Sequence, residues 1–140
     1  SLLFIAPGTV AAAHSGWRGT AAGMPLATLD AVCRSAGVSA DRVTVHFGPC
    51  IRGCCYVVGP EVAAAFPSEA VSRRGSDIRL DLPLAARLQL QSAGVATVFD
   101  TGACTACEPQ WYFSHRRDRG ACGRHWALVT LRESKISGEL

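Results

Sequence analysis

Leu2-Leu3-Phe4-Ile5-Ala6 and Thr9-Val10-Ala11-Ala12-Ala13 stand on either side of Pro7-Gly8, at the very start of a 140-residue chain. Two short apolar runs separated by a turn dipeptide predict a hairpin of largely buried strands. Helical periodicity follows: from about Thr20 to Ser35, Met24, Leu26, Leu29, Val32 and Cys33 recur near helical spacing. Thr20 is placed to cap that helix and Gly37 to end it. Two consecutive strands before the first helix argue against regular βαβ winding and for an α+β domain with a mixed sheet.

Further along, Arg42 to Phe47 alternates as a strand, Cys55 to Val58 is rich in β-formers, and Pro60 to Phe66 suits a short helix with proline in its first turn. Ser68 to Asp77 is polar and reads as a loop. Asp81 is placed to cap a helix running to about Ala93, with Leu84 and Leu88 four apart and Gly94 at the C-terminal left-handed position. Val95 to Phe99 and Trp126 to Leu131 complete the expected strands. The chain shows no internal repeat, and Glu133 to Leu140, poor in apolar residues, reads as a flexible tail.

A hydrophobic fraction of 49% with 18% charged residues is the composition of one globular domain with a substantial core. The formal charge of +3 is small and its basic residues are scattered, which gives no nucleic-acid-binding stripe. No run approaches the roughly 20 apolar residues of a membrane span, and Leu2 to Ile5 is too short for a signal peptide. A cytoplasmic protein is expected, with its seven cysteines mostly reduced. The opening strand pattern has no initiator Met and no preceding cap, so the sequence reads as beginning inside a domain.

Three segments carry potential chemistry. His14-Ser15-Gly16-Trp17-Arg18-Gly19 lies between a strand end and a helix start. There an imidazole can ligate zinc, and an arginine beside free helix N–H groups suits phosphate. The alternative is a strand-end histidine and a packing tryptophan. Gly48 to Gly59 is rich in glycine and cysteine. Its Cys50, Cys54 and Cys55 could bind metal or act as nucleophiles, but the spacing fits no standard zinc finger and buried structural thiols are the favoured reading. From Cys104 to Arg124 run a Cys104-x-x-Cys107 pair without a second C-x-x-C, then Tyr112-Phe113-Ser114-His115-Arg116-Arg117-Asp118. Neighbours in sequence seldom make a hydrolase triad. Substrate or anion binding by Ser114, Arg116 and Arg117, with Asp118 orienting an arginine, is the more economical role, and a solvated basic loop the alternative.

In this order and spacing, His14 to Thr20, Gly48 to Gly59 and Cys104 to Arg124 resemble the motifs H-A-G-W-R-G-T, G-P-x-I-x-x-C-C-Y-x-V-G and C-T-x-C…F-F-S-Y-R-R-D…T-G-R of the YfiH, or laccase-domain, family. The resemblance implies a layered α+β sandwich, with residues 1–132 as the C-terminal part of one such domain. It also implies a zinc held by two histidines and a cysteine. Of those ligands only His14 is carried over, the others being expected in segments before Ser1. The implied activity is phosphorolysis of adenosine, inosine, guanosine or methylthioadenosine by a monomer or homodimer, with adenosine deamination also attributed to the family. His14 and Arg18 are then the catalytic candidates, and Ser114, Arg116, Arg117 and Asp118 the substrate-binding ones. The chain departs from the pattern at Ser15 for alanine, Arg52-Gly53 for Gly-Pro, Val57 for glutamate, His115 for tyrosine and Arg119 for glycine.

Two other classes compete. A copper-dependent polyphenol oxidase would need many imidazoles, whereas the chain has four histidines and no H-x-H pair. A non-catalytic interaction domain would be favoured if the natural chain began at Ser1.

Overall fold

The computed structural model describes residues 1–132. The opening hairpin forms as expected: β1 (Leu2–Ala6) pairs antiparallel with β2 (Thr9–Ala13), Leu2 opposite Ala13 and Ala6 opposite Thr9. On its other edge β1 pairs antiparallel with β3 (Thr44–Phe47), and β3 pairs parallel with β7 (Thr97–Asp100). The order β2-β1-β3-β7 is a mixed sheet, as the sequence implied. Alternation along β1 sends Leu2, Phe4 and Ala6 into the core while Ile5 faces out at 40% exposure.

The first helical stretch is not one helix but two, α1 (Trp17–Ala21) and α2 (Met24–Ala36). Gly23 adopts φ +80° between them, a left-handed turn that ends the first and redirects the chain. Thr20 is therefore not a cap; it is fully buried within α1. Gly37, at φ +65°, ends α2 as expected, its N–H bonded to the Cys33 carbonyl. The buried face of α2 is Pro25, Leu29 and Val32, whereas Met24 and Leu26 are exposed. The kink at Gly23 changes the helical phase assumed for the first turn.

The polar stretch expected to be a loop forms a second hairpin. β5 (Val71–Arg74) and β6 (Asp77–Leu80) pair antiparallel about Gly75, and the two-residue β4 (Val57–Val58) pairs with the other edge of β6. Polar outward residues masked this hairpin in the sequence, because only Leu80 of β6 is fully buried. Between β4 and β5 lies the short α3 (Pro60–Ala63), and α4 (Leu82–Ser92) follows β6, with the Asp81 carboxylate accepting from the Leu84 N–H at 3.0 Å.

Helix α4 joins two cores. Ala86 and Leu90, one turn apart, pack with Phe4, Val32, Val45 and Phe47, while Ala85 packs with Tyr56, Val62, Ala70 and Leu80. Leu84 and Leu88 are only partly buried. The expected strand at Trp126 to Leu131 does not form; the segment is irregular, with Trp126 96% and Leu128 86% exposed. Apolar residues there meet no free sheet edge among the described residues, and a strand without a partner leaves its backbone unbonded. The expected tail, 133–140, lies outside the described residues. No described helix is long and apolar enough to cross a membrane.

Candidate active site and thiol cluster

The three motif segments converge. A cleft of about 780 Å³ is lined by His14, Ser15, Gly16 and Trp17 from the first, by Cys50, Ile51 and Tyr56 from the second, and by Thr105, Phe113, Ser114, His115, Arg116 and Arg124 from the third. His125 and Trp126 close one side.

The first motif is held by α1 and α4. Ser15 Oγ and Thr20 Oγ1 are 2.8 Å apart, and Gln89 Nε2 donates to the Thr20 carbonyl at 2.9 Å. His14 follows β2 directly and is exposed to the cleft. Gly16 lies against the ring, where a Cβ would come to 3.4 Å from His14 Nε2, an ordinary contact distance. Arg18 is exposed, stacked on the Trp17 ring at 4.3 Å. It sits within the first turn of a five-residue helix rather than ahead of the longer helix expected from sequence. Its charge reaches Tyr56, whose burial pushes the phenol up while Arg116 and Arg18 oppose the rise.

Arg116 lies over the Tyr56 ring at 5.0 Å and donates to the Val57 carbonyl. Ser114 is buried at the cleft wall. Arg117 and Asp118 do not line the cleft. Arg117 donates to both Asp118 oxygens at 2.7 and 2.9 Å and to the carbonyls of Thr105 and Tyr112 at 2.8 and 3.0 Å, while Asp118 also accepts from the Ser114 N–H at 3.1 Å. That pair knits the loop that presents Ser114 and Arg116, and it holds the Asp118 carboxyl below its usual range. Arg119, where the family pattern has glycine, is at φ +49°, the only non-glycine residue with positive φ among those described. We expect Arg119→Gly to raise stability by about 1 kcal/mol, because it relieves a left-handed backbone position; chemical denaturation of the two proteins measures this.

His125 was not singled out from sequence. Its Nε2 accepts from the Phe113 N–H at 3.1 Å, and its ring lies 5.6 and 5.5 Å from those of Tyr112 and Phe113. No spacing pattern marks such a residue, because its role comes from a loop folding back on itself.

The cysteines form the larger surprise. Cys54, Cys55, Cys104 and Cys107, read from sequence as core thiols and a partnerless C-x-x-C, place their sulfur atoms within 4.8 Å of one another. The missing half of the C-x-x-C is the adjacent pair Cys54-Cys55, whose spacing resembles no usual half-site. Cys54 and Cys107 are exposed and Cys104 is buried. Burial works against ionisation of Cys104, but backbone N–H groups of Arg52, Cys107 and Ala106 and the Cys54 thiol outweigh it and bring its pKa down to about 7. The loops carrying the four thiols are tied by the Thr105 N–H to the Cys50 carbonyl at 3.0 Å and by Arg52, which donates to the Ala103 carbonyl and to both oxygens of Asp100. Arg52, a departure from the family pattern, thus supplies a cross-link of its own.

The fold and these loops define an α+β domain with a mixed sheet whose motif segments meet at one cleft, beside a separate thiol cluster. The family model of the multi-copper polyphenol oxidoreductase laccase matches residues 1–132, and the chain belongs to that family. It is 37% identical over 144 residues to the purine nucleoside phosphorylase YlmD of Geobacillus stearothermophilus, covering 94% of this chain and 53% of that protein. To the adenosine deaminase RL5 of an unknown prokaryotic organism it is 35% identical over 120 residues, covering 79% of this chain and 45% of that one. The crystal structure of YfiH from Bacillus licheniformis matches with a TM-score of 0.77 at 33% identity, over 85% of this chain and 49% of that one. The chain spans about half the length of the curated relatives it matches.

Proposed function

We propose that this chain contributes part of the active site of a zinc-dependent purine nucleoside phosphorylase, a cytoplasmic enzyme acting as monomer or homodimer on adenosine, inosine, guanosine or methylthioadenosine with phosphate. One observation carries the reading: His14, Tyr56, Ser114 and Arg116, from three separated motifs, line one cleft. Similarity to a protein named purine nucleoside phosphorylase YlmD supports it.

Phosphorolysis brings an anion to a ribose whose anomeric carbon gains positive charge as the base departs. Arg116 lines the cleft, and Arg18, which does not, is still close enough to act on the Tyr56 phenol, so both bring positive charge toward it. Trp17, Tyr56 and Phe113 offer apolar walls of the kind a purine ring needs. Arg117 and Asp118 act by holding the Ser114–Arg116 loop. His14 fits zinc as one open imidazole rather than as a set: no other described residue forms a group of three potential ligands with it. Its partner ligands are expected from segments before Ser1, as the family resemblance implies. Bound zinc would supply Lewis acidity or an activated water.

Adenosine deamination is the second reading, favoured by the likeness to the protein named adenosine deaminase RL5. Copper oxidation has less support, since a multicopper site needs many imidazoles and the chain has four histidines and no H-x-H pair. The test is product chromatography of the intact protein with inosine and with adenosine. Free base and ribose 1-phosphate should form only when phosphate is present. Base release that ignores phosphate would overturn phosphorolysis, and inosine from adenosine would establish the second activity.

A further inference from the structure

We infer that Cys54, Cys55, Cys104 and Cys107 form a structural tetrathiolate zinc site that staples the second motif loop to the third. The sulfur geometry is the first ground. Zinc bonded to thiolate at about 2.3 Å in a tetrahedron sets sulfurs about 3.8 Å apart. Here Cys54 Sγ is 3.5 Å from Cys104 Sγ and 3.6 Å from Cys107 Sγ, Cys55 Sγ is 3.2 Å from Cys107 Sγ, and all four lie within 4.8 Å. These separations suit a shared metal better than bonded pairs, which need about 2.05 Å.

Charge is the second. Four thiolates around a divalent ion leave a net negative centre, and a guanidinium stands on the backbone of one of its loops: Arg79 pairs with Asp77 at 3.0 Å and donates to the Cys54 carbonyl, while its Nε is buried without a partner. Soft sulfur donors in this arrangement select zinc or iron over hard cations. The two contributing loops have little regular structure of their own, and a metal joining them would hold Tyr56 and the Ser114–Arg116 segment in register across the cleft. None of the four sulfurs' residues lines that cleft, so the site stands apart from His14.

The test uses the intact protein, grown with zinc and purified under reducing conditions with a weak chelator, and reads metal content by mass spectrometry. The Cys54→Ser, Cys107→Ser variant, changed at two exposed positions, should hold about one zinc per chain fewer than wild type, whereas His14→Ala should keep that equivalent. Because the readout is a difference, it stands whether or not His14 binds zinc. Should the double variant fail to fold, cobalt-exchanged wild type decides: it should show the intense visible bands of a tetrahedral tetrathiolate centre, retained in His14→Ala. Equal zinc in wild type and folded double variant, absence of those cobalt bands, iron in place of zinc, or disulfides among these four residues under reducing conditions would each overturn the inference.

Discussion

Replacing His14 with alanine in the intact protein is expected to lower phosphate-dependent release of purine base on the order of a thousandfold or more, the scale at which a metal or oxyanion-stabilising group contributes. The expectation rests on position: the imidazole leaves the end of β2 at the head of the first motif and is exposed to the cleft. Little of the fold depends on it, since the neighbouring Ser15–Thr20 and Gln89–Thr20 contacts hold the loop without it. Compared as metal-free proteins, the variant and wild type should therefore differ in stability by less than about 1 kcal/mol. Steady-state rates with inosine, alongside a melting curve, check both halves. Full activity in a folded His14→Ala protein would remove this centre from the reaction.

Asp100→Asn should cost about 2 kcal/mol of stability near neutral pH. Asp100 ends β7 and accepts from both terminal nitrogens of Arg52, from Arg87 Nη2 at 3.4 Å and from the Gly102 N–H at 3.0 Å, with only 16% of its side chain exposed. Hydrogen bonding from Arg52 is the main cause that lowers its pKa to about 2. A carboxylate depressed in the folded state is protonated first in the unfolded chain. Its contribution is therefore complete above the ordinary carboxylate pKa of about 4 and is lost as pH falls toward 2. Denaturant unfolding of wild type and variant at a series of pH values should show a gap that is constant from pH 7 to 5 and narrows below about 4. A gap independent of pH would mean that the asparagine is felt through packing rather than charge.

The amino-acid sequence alone determined the parts of this protein whose signals are local. The opening hairpin, the Asp81-capped α4, the left-handed ends at Gly37 and Gly94 and the mixed α+β class all follow from periodicity, caps and turn residues that act within a few positions. Motif order was likewise sufficient for the family, and it singled out His14, Ser114 and Arg116, which share one cleft. Other features depend on contacts between distant residues. The β5–β6 hairpin is polar on its outer face and becomes a strand pair only when Leu80 has a second core to enter. The apolar stretch from Trp126 to Leu131 has strand composition but no partner edge among the described residues. Arg117 and Asp118 pair with each other, in keeping with the expectation that Asp118 orients an arginine, and only the folded chain shows that neither lines the cleft. The thiol cluster depends most on tertiary structure. Cys54-Cys55 and Cys104-x-x-Cys107 each lack a ligand-set spacing, and they meet because the parallel approach of residues 50 and 104, locked by the Arg52–Asp100 pair, brings two loops together that lie some fifty positions apart. Sequence pattern records what a residue does to its own backbone, whereas a site built across loops exists only once packing has fixed where those loops lie.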